Sequence, residues 1–150
     1  MKAILRPTLV LGFFLFSFSI LAQIELFDPS RISGGDVNND TMLVTGLSSD
    51  WELEQSLWVV NSGSQDITLL CKKTEIDVVT GTENIACWKY CPANYDVAGA
   101  NPISFISLAG VNMTETLMPL DTNKSFSSHY KPQGNAGASM IRYEWYDIND

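Results

Sequence analysis

Met140-Ile141-Arg142-Tyr143-Glu144-Trp145-Tyr146-Asp147 is the stretch that decides the fold class. Ile141, Tyr143 and Trp145 alternate with Met140, Arg142 and Glu144. An extended chain therefore collects its apolar groups on one face and wets the other. Just upstream, Phe126, Ser128 and Tyr130 alternate with Ser125, Ser127 and His129 in the same way. Between the two runs, Lys131-Pro132-Gln133-Gly134-Asn135-Ala136-Gly137 is rich in turn formers and suits a hairpin.

Working outward, no stretch of the chain after residue 22 reads as a long amphipathic helix. Gly, Ser, Thr and Asn interrupt the sequence at roughly eight- to twelve-residue intervals, and Val, Ile, Thr and aromatics fill the runs between, as in an all-β sandwich or barrel. The expected strands are Ile24–Phe27, Met42–Thr45, Leu57–Val60, Ile67–Val79, Ile85–Tyr90, Ile103–Leu108, Lys124–Tyr130 and Ala138–Ile148. A second hairpin is expected to join 67–79 to 85–90 through Thr80-Gly81-Thr82-Glu83-Asn84. Residues 30–40, with Gly34-Gly35 and Asn38-Asn39-Asp40, read as an exposed loop. No repeat, low-complexity tract or linker divides the chain.

The first 22 residues have a different character. Lys2 and Arg6 precede an apolar-and-small run from Leu9 to Leu21, and Ala22 closes it. That order is a secretory signal peptide, with an apolar run shorter than the roughly 20 residues that span a bilayer. We expect residues 1–22 to be a leader and 23–150 a single domain, secreted or held at the cell surface, with no membrane insertion after cleavage. The leader holds two of the nine Lys and Arg residues and none of the seventeen Asp and Glu, so the remaining 128 residues carry a net charge near −10. Such a surface repels phosphate backbones and anionic head groups, which excludes nucleic acid as a partner.

Cys71, Cys87 and Cys91 all follow the leader. An exported chain uses cysteines for disulfides, and an odd count leaves one thiol over. Cys87 and Cys91 close a small loop before Pro92; Cys71 and Cys91 are the other option, across the expected hairpin. The first pairing is preferred, with Cys71 a buried small hydrophobe. A metal site from the three thiols and His129 matches no zinc spacing, and a lone histidine rules out blue copper, so no metal or other cofactor is expected.

His129 is the only histidine. Ser127 and Ser128 are near it, but no Gly-x-Ser-x-Gly elbow is present, and His129 reads as a surface residue. Carboxylate pairs such as Glu52 with Glu54, or Asp147 with Asp150, read as solvated. Asp36-Val37-Asn38-Asn39-Asp40 starts like a calcium loop, then fails at Thr41 and Leu47, where a glycine and a bidentate glutamate are required. Asx turns account for the same residues. Three Asn-x-Ser/Thr triplets, at Asn39, Asn112 and Asn123, mark exposed turns. No catalytic residues are expected, because nucleophile, base and oxyanion donors do not come together. Among Trp51, Trp58, Trp88 and Trp145, the last lies on the apolar phase of its strand and Trp58 in an apolar run. Trp51 and Trp88 are the candidates for an exposed ligand platform.

From Leu70 to Asn149 the chain resembles an immunoglobulin-like domain of exported, often multidomain, surface proteins of Bacteroidota. The matching residues are Cys71-Lys72-Lys73-Thr74-Glu75, Thr82-Glu83-Asn84, Cys87-Trp88, Cys91-Pro92 and Phe126, then His129-Tyr130-Lys131-Pro132, Gly134-Asn135-Ala136-Gly137 and Arg142-Tyr143-Glu144-Trp145-Tyr146-Asp147. The resemblance implies an antiparallel immunoglobulin-like β-sandwich, and export by a type IX system. In that group another strand follows the last one here, so the sandwich is expected to lack its final strand and to self-associate through the exposed edge. The expected function is a non-catalytic structural or adhesive module at the cell surface, meeting other surface proteins or glycans. The alternative is a carbohydrate-binding module that uses exposed tryptophans.

Overall fold

The computed structural model describes residues 24–30, 36–106 and 114–149. The expected leader over 1–22 lies outside them, as do part of the 30–40 loop and the end of the expected Ile103–Leu108 strand. Among the described residues the chain forms strands β1 (Ile24–Phe27), β2 (Leu53–Asn61), β3 (Ile67–Asp77), β4 (Glu83–Cys87), β5 (Asp96–Val97), β6 (Ile103–Phe105), β7 (Glu115–Leu117), β8 (Thr122–Lys131) and β9 (Met140–Asp147). They make two antiparallel sheets packed face to face, the all-β sandwich that the alternation predicts. The first sheet has the order β1-β2-β8-β4-β5. In the second, β3 is central; β9 runs along one side, and β6 and β7 lie end to end along the other.

The period-two pattern explains which side chains fill the gap. Leu57 and Val59 of β2, Ile67, Leu69 and Cys71 of β3 and Phe126 of β8 all point inward and are buried. Trp88 follows Ala86 on the inner phase of β4 and is fully buried. Its ring centroid lies 6.5 Å from that of Phe126 and 6.1 Å from that of Trp145. Phe126 in turn meets Tyr143 and Trp145 edge-on, each at 5.0 Å. Truncating a core Phe or Trp to alanine costs about 3–5 kcal/mol, so this aromatic knot is a large share of what holds the sheets together.

Both expected hairpins are instead arches between the sheets. β3 and β4 belong to opposite sheets, and so do β8 and β9. Each of these strands has one apolar face, and each finds lateral partners elsewhere: β4 takes β8 and β5, while β3 takes β9, β6 and β7. Stacking the successive strands buries both faces, which side-by-side pairing in one sheet would not. The first arch turns through Gly81 at φ +84°, and buried Thr82 donates its hydroxyl to the Val79 carbonyl at 2.7 Å. The second passes against the first at Gly137, where φ is +146° and an added Cβ would stand 2.7 Å from Val79 Cγ2.

Other expectations need correction. Met42–Thr45 is not a strand; Leu43 is exposed and only Met42 packs against the core. Its apolar residues run consecutively rather than alternating, and no neighbouring strand offers it a ladder. The fourth strand stops at Cys87, because Lys89 adopts φ +64° and bridges Trp88 to Tyr90 in a tight turn. Short strands β5 and β7 were too brief to show a period.

Cys87 and Cys91 form the disulfide, and Cys71, outside that bond, is buried in the core. Burial pushes the Cys71 thiol well above its ordinary pKa, which removes the reactive thiolate. We therefore predict that iodoacetamide modifies no cysteine of the native chain. Denaturation without reductant should expose Cys71 alone to labelling, as read by peptide mass spectrometry. Label on Cys87 or Cys91 before reduction would contradict the pairing.

Candidate functional site

β8 is the central strand of the first sheet, and its outward phase is Ser127, His129 and Lys131. The register sets Glu54 and Ile85 beside His129, and Ser56 and Cys87 beside Ser127. Ile85 and Cys87 point outward yet are buried. The segment that follows β4 covers them. It is tied down at its start by the Cys87–Cys91 disulfide and at its end by the pairing of β5 with β4. Tyr95, just before β5, reaches back across the sheet.

A continuous hydrogen-bonded line results. The Tyr95 hydroxyl donates to Glu52 Oε2 at 2.5 Å. Glu52 Oε1 lies 2.6 Å from His129 Nδ1, and His129 Nε2 lies 2.8 Å from Ser127 Oγ. A carboxylate can only accept, so Nδ1 carries the proton that points at Glu52. In the neutral ring, Nε2 then accepts from the Ser127 hydroxyl. The Tyr95 hydroxyl holds the Glu52 carboxyl below its ordinary value against the opposing effect of burial, and His129 and Lys131 add to the depression. Burial and the adjoining carboxylate push Tyr95 up to about 12.

Lys131 completes the patch. Its ammonium sits 3.6 Å from the Tyr95 ring centroid and 4.7 Å from that of Trp51. Trp51 is 81 % exposed, so one face of the indole takes the cation while much of the ring meets solvent. Farther along the same sheet, Lys124 lies 4.1 Å over the Trp58 ring.

The two platform candidates separate here. Trp51 stands on the surface as expected. Trp88 does not: at 0 % exposure it belongs to the core, because the alternation of β4 turns it inward with Ala86. Ser127 and His129 are brought together on the outer face of β8. They are two residues apart on one strand and share a face, and the same spacing carried on to Lys131 was the signal in the sequence. Glu52, read as a solvated carboxylate, is instead bonded to Tyr95 and His129, because it directly precedes β2 and the β2–β8 register brings it to that strand. Tyr95 had no signal, since it arrives through a loop.

Ser, His and Glu in this order are the parts of a charge-relay line, but among the described residues the surroundings of Ser127 supply no oxyanion pocket. β8 is paired on both sides at Ser127, so the backbone N–H groups next to that hydroxyl are within the sheet. Among the described residues, no three His, Cys, Asp or Glu side chains come together to hold a metal. Cys87 and Cys91 are oxidised, and Cys71 lies in the interior. No helix of the described residues is long and apolar enough to cross a membrane. Comparison with protein-family models, curated proteins and solved structures found no match to this chain.

The depressed Glu52 carboxyl sets a pH window. A carboxylate with a lowered folded-state pKa contributes stability above its unfolded pKa, near 4.3, and that contribution fades as pH falls through the folded value. Tyr95→Phe removes the largest cause of the depression. We predict that acid unfolding of Tyr95→Phe, followed by tryptophan fluorescence, begins at higher pH than that of the parent chain. Coincident acid transitions would contradict this role for Tyr95.

Proposed function

We propose that this chain is an exported, non-catalytic adhesive module of the cell surface, and that the outer face of the first sheet is its contact face. The observation that carries this is Trp51, a largely exposed indole steadied by Lys131 and bordered by the Glu52–His129–Ser127 line. A fixed apolar plate beside several hydrogen-bonding groups holds a partner by stacking and orients it by polar contacts. Export is supported by the N-terminal pattern, and the type IX route by the resemblance alone. A glycan is the ligand class that this plate suits best, because a sugar ring offers a C–H face to the indole and hydroxyls to the polar line.

A glycan array read by tryptophan fluorescence tests this. Saturable binding that falls roughly tenfold or more in Trp51→Ala, about 1.4 kcal/mol, is the expected result. Unchanged thermal unfolding of that variant would show that the loss is local. Binding indifferent to Trp51 would overturn the role of this face, and no binding to any glycan would leave protein partners as the ligand class. A fluorophosphonate probe should leave Ser127 unmodified; stoichiometric labelling there would instead make the Ser127–His129–Glu52 line catalytic and refute the non-catalytic reading.

A further inference from the structure

The second sheet ends on β9, which among the described residues pairs with β3 and with no other strand. The ladder fixes which backbone groups remain open. Ile148 N–H donates to the Thr68 carbonyl at 2.9 Å. In the same register Tyr146 faces Leu70, Glu144 faces Lys72 and Arg142 faces Thr74. Residues of an antiparallel strand alternate between bonding toward one neighbour and toward the other. Ile141, Tyr143, Trp145 and Asp147 therefore turn their N–H and C=O groups to the free edge.

Among the described residues, β9 lacks most of the usual protections of an edge. β9 contains no proline, and the register shift in this ladder lies on β3, between Glu75 and Asp77, leaving β9 regular. Arg142 and Glu144 sit on the solvent face, where Glu144 meets Lys72 at 3.6 Å and Arg142 at 3.8 Å, both weak surface contacts. Asp147, at the very end of the strand, is the one β9 charge on the inward phase. Beside the edge, a cavity of about 320 Å³ opens between Tyr143 and Trp145 of β9 and Ile24 and Leu26 of β1.

We propose that this edge pairs with the same edge of a second copy of the chain, antiparallel, about a twofold axis through Tyr143. Residues facing each other must point their backbone groups alike, so the axis has to pass through a residue. Centred on Arg142 or Glu144, the pairing sets like charges against each other. Centred on Ile141 or Trp145, it leaves both charges opposite uncharged residues. Centred on Tyr143, it sets Arg142 opposite Glu144 of the second copy twice over, Ile141 opposite Trp145, and Met140 opposite Tyr146. The two charge pairs fall at non-hydrogen-bonded positions, where facing Cα atoms come within about 4.5 Å and side chains meet best. The inward residues of the two copies then form one apolar row that closes both cavities.

Mixed-cysteine cross-linking tests the register on the whole chain recovered from an exporting host. Arg142→Cys and Glu144→Cys chains are prepared separately and oxidised in a glutathione buffer, alone and mixed. A disulfide-linked dimer that forms in the mixture and not in either chain alone is the expected result. Equal cross-linking of one variant with itself, or none in the mixture, overturns the register. Sedimentation equilibrium provides the second measurement. The unsubstituted chain should be dimeric, Glu144→Arg should weaken the dimer by roughly tenfold or more, and the double exchange Arg142→Glu with Glu144→Arg should restore it. Matching thermal unfolding of the three would exclude misfolding as the cause. A monomer at all soluble concentrations, or a dimer indifferent to the charge reversal, refutes the proposal.

Discussion

Lys73 lies on the inward phase of β3, and the residue is 1 % exposed in a largely apolar interior. An ammonium group in that position has lost its hydration and needs partners of good geometry. It finds two on the opposite sheet: Asn84 Oδ1 of β4 at 2.7 Å and Asp96 Oδ2 of β5 at 2.6 Å. Asn84, itself fully buried, donates back to Glu75 Oε1 of β3 at 2.6 Å. The other oxygen of Glu75 accepts from Gly99 N–H at 2.8 Å. Apolar packing pushes the sheets together without direction. This network is directional, and it ties β3 to β4 and β5 in the observed lateral alignment.

The contact face depends on the same tie. Burial works against a charge on Asp96, yet the hydrogen bonds from Lys73 and Asn101 and the Lys73 charge outweigh it and leave the carboxyl below its ordinary value. That ion pair anchors β5 together with its two-residue ladder to β4. Tyr95 is the residue immediately before Asp96. Its hydroxyl on Glu52 and its ring under Lys131 are placed by where β5 is held, while the β2–β8 ladder brings Glu52 to His129. An interior lysine thus helps set the geometry of a surface patch on the far side of the sheet. The free edge of β9 is independent of this chain of contacts, because its alignment comes from the ladder with β3.

Alternation made the fold class legible. It placed Ile141, Tyr143 and Trp145 on the core side of their strand and Phe126 opposite them. It could not say whether successive strands lie side by side or face to face, because both arrangements satisfy one apolar face per strand. The outcome was set by long-range pairing, β8 between β2 and β4, which no local pattern encodes. Lys72 and Lys73 are neighbours in sequence, and only the phase of β3 turns Lys72 out and Lys73 in. Of the candidate site, Trp51 and the Cys87–Cys91 pair were readable from composition and spacing. Trp88 was misplaced because its nearness to the cysteines drew more weight than its phase with Ala86. Glu52 was visible only as one of many carboxylates, since its approach to His129 depends on the long-range pairing of β2 with β8, and Tyr95 was invisible, since a loop brings it to that face.

Urea unfolding at neutral pH, on Asp96→Ala and on the double variant Lys73→Met with Asp96→Ala, tests the central claim most directly. If the buried ammonium depends on Asp96, the single change strands a charge in the core and costs about 3–5 kcal/mol. Removing the charge as well should recover at least half of that loss, since a methionine of similar reach needs no partner. A single variant within about 1 kcal/mol of the parent chain, the range of a surface ion pair, would contradict the account. So would a double variant no more stable than the single one.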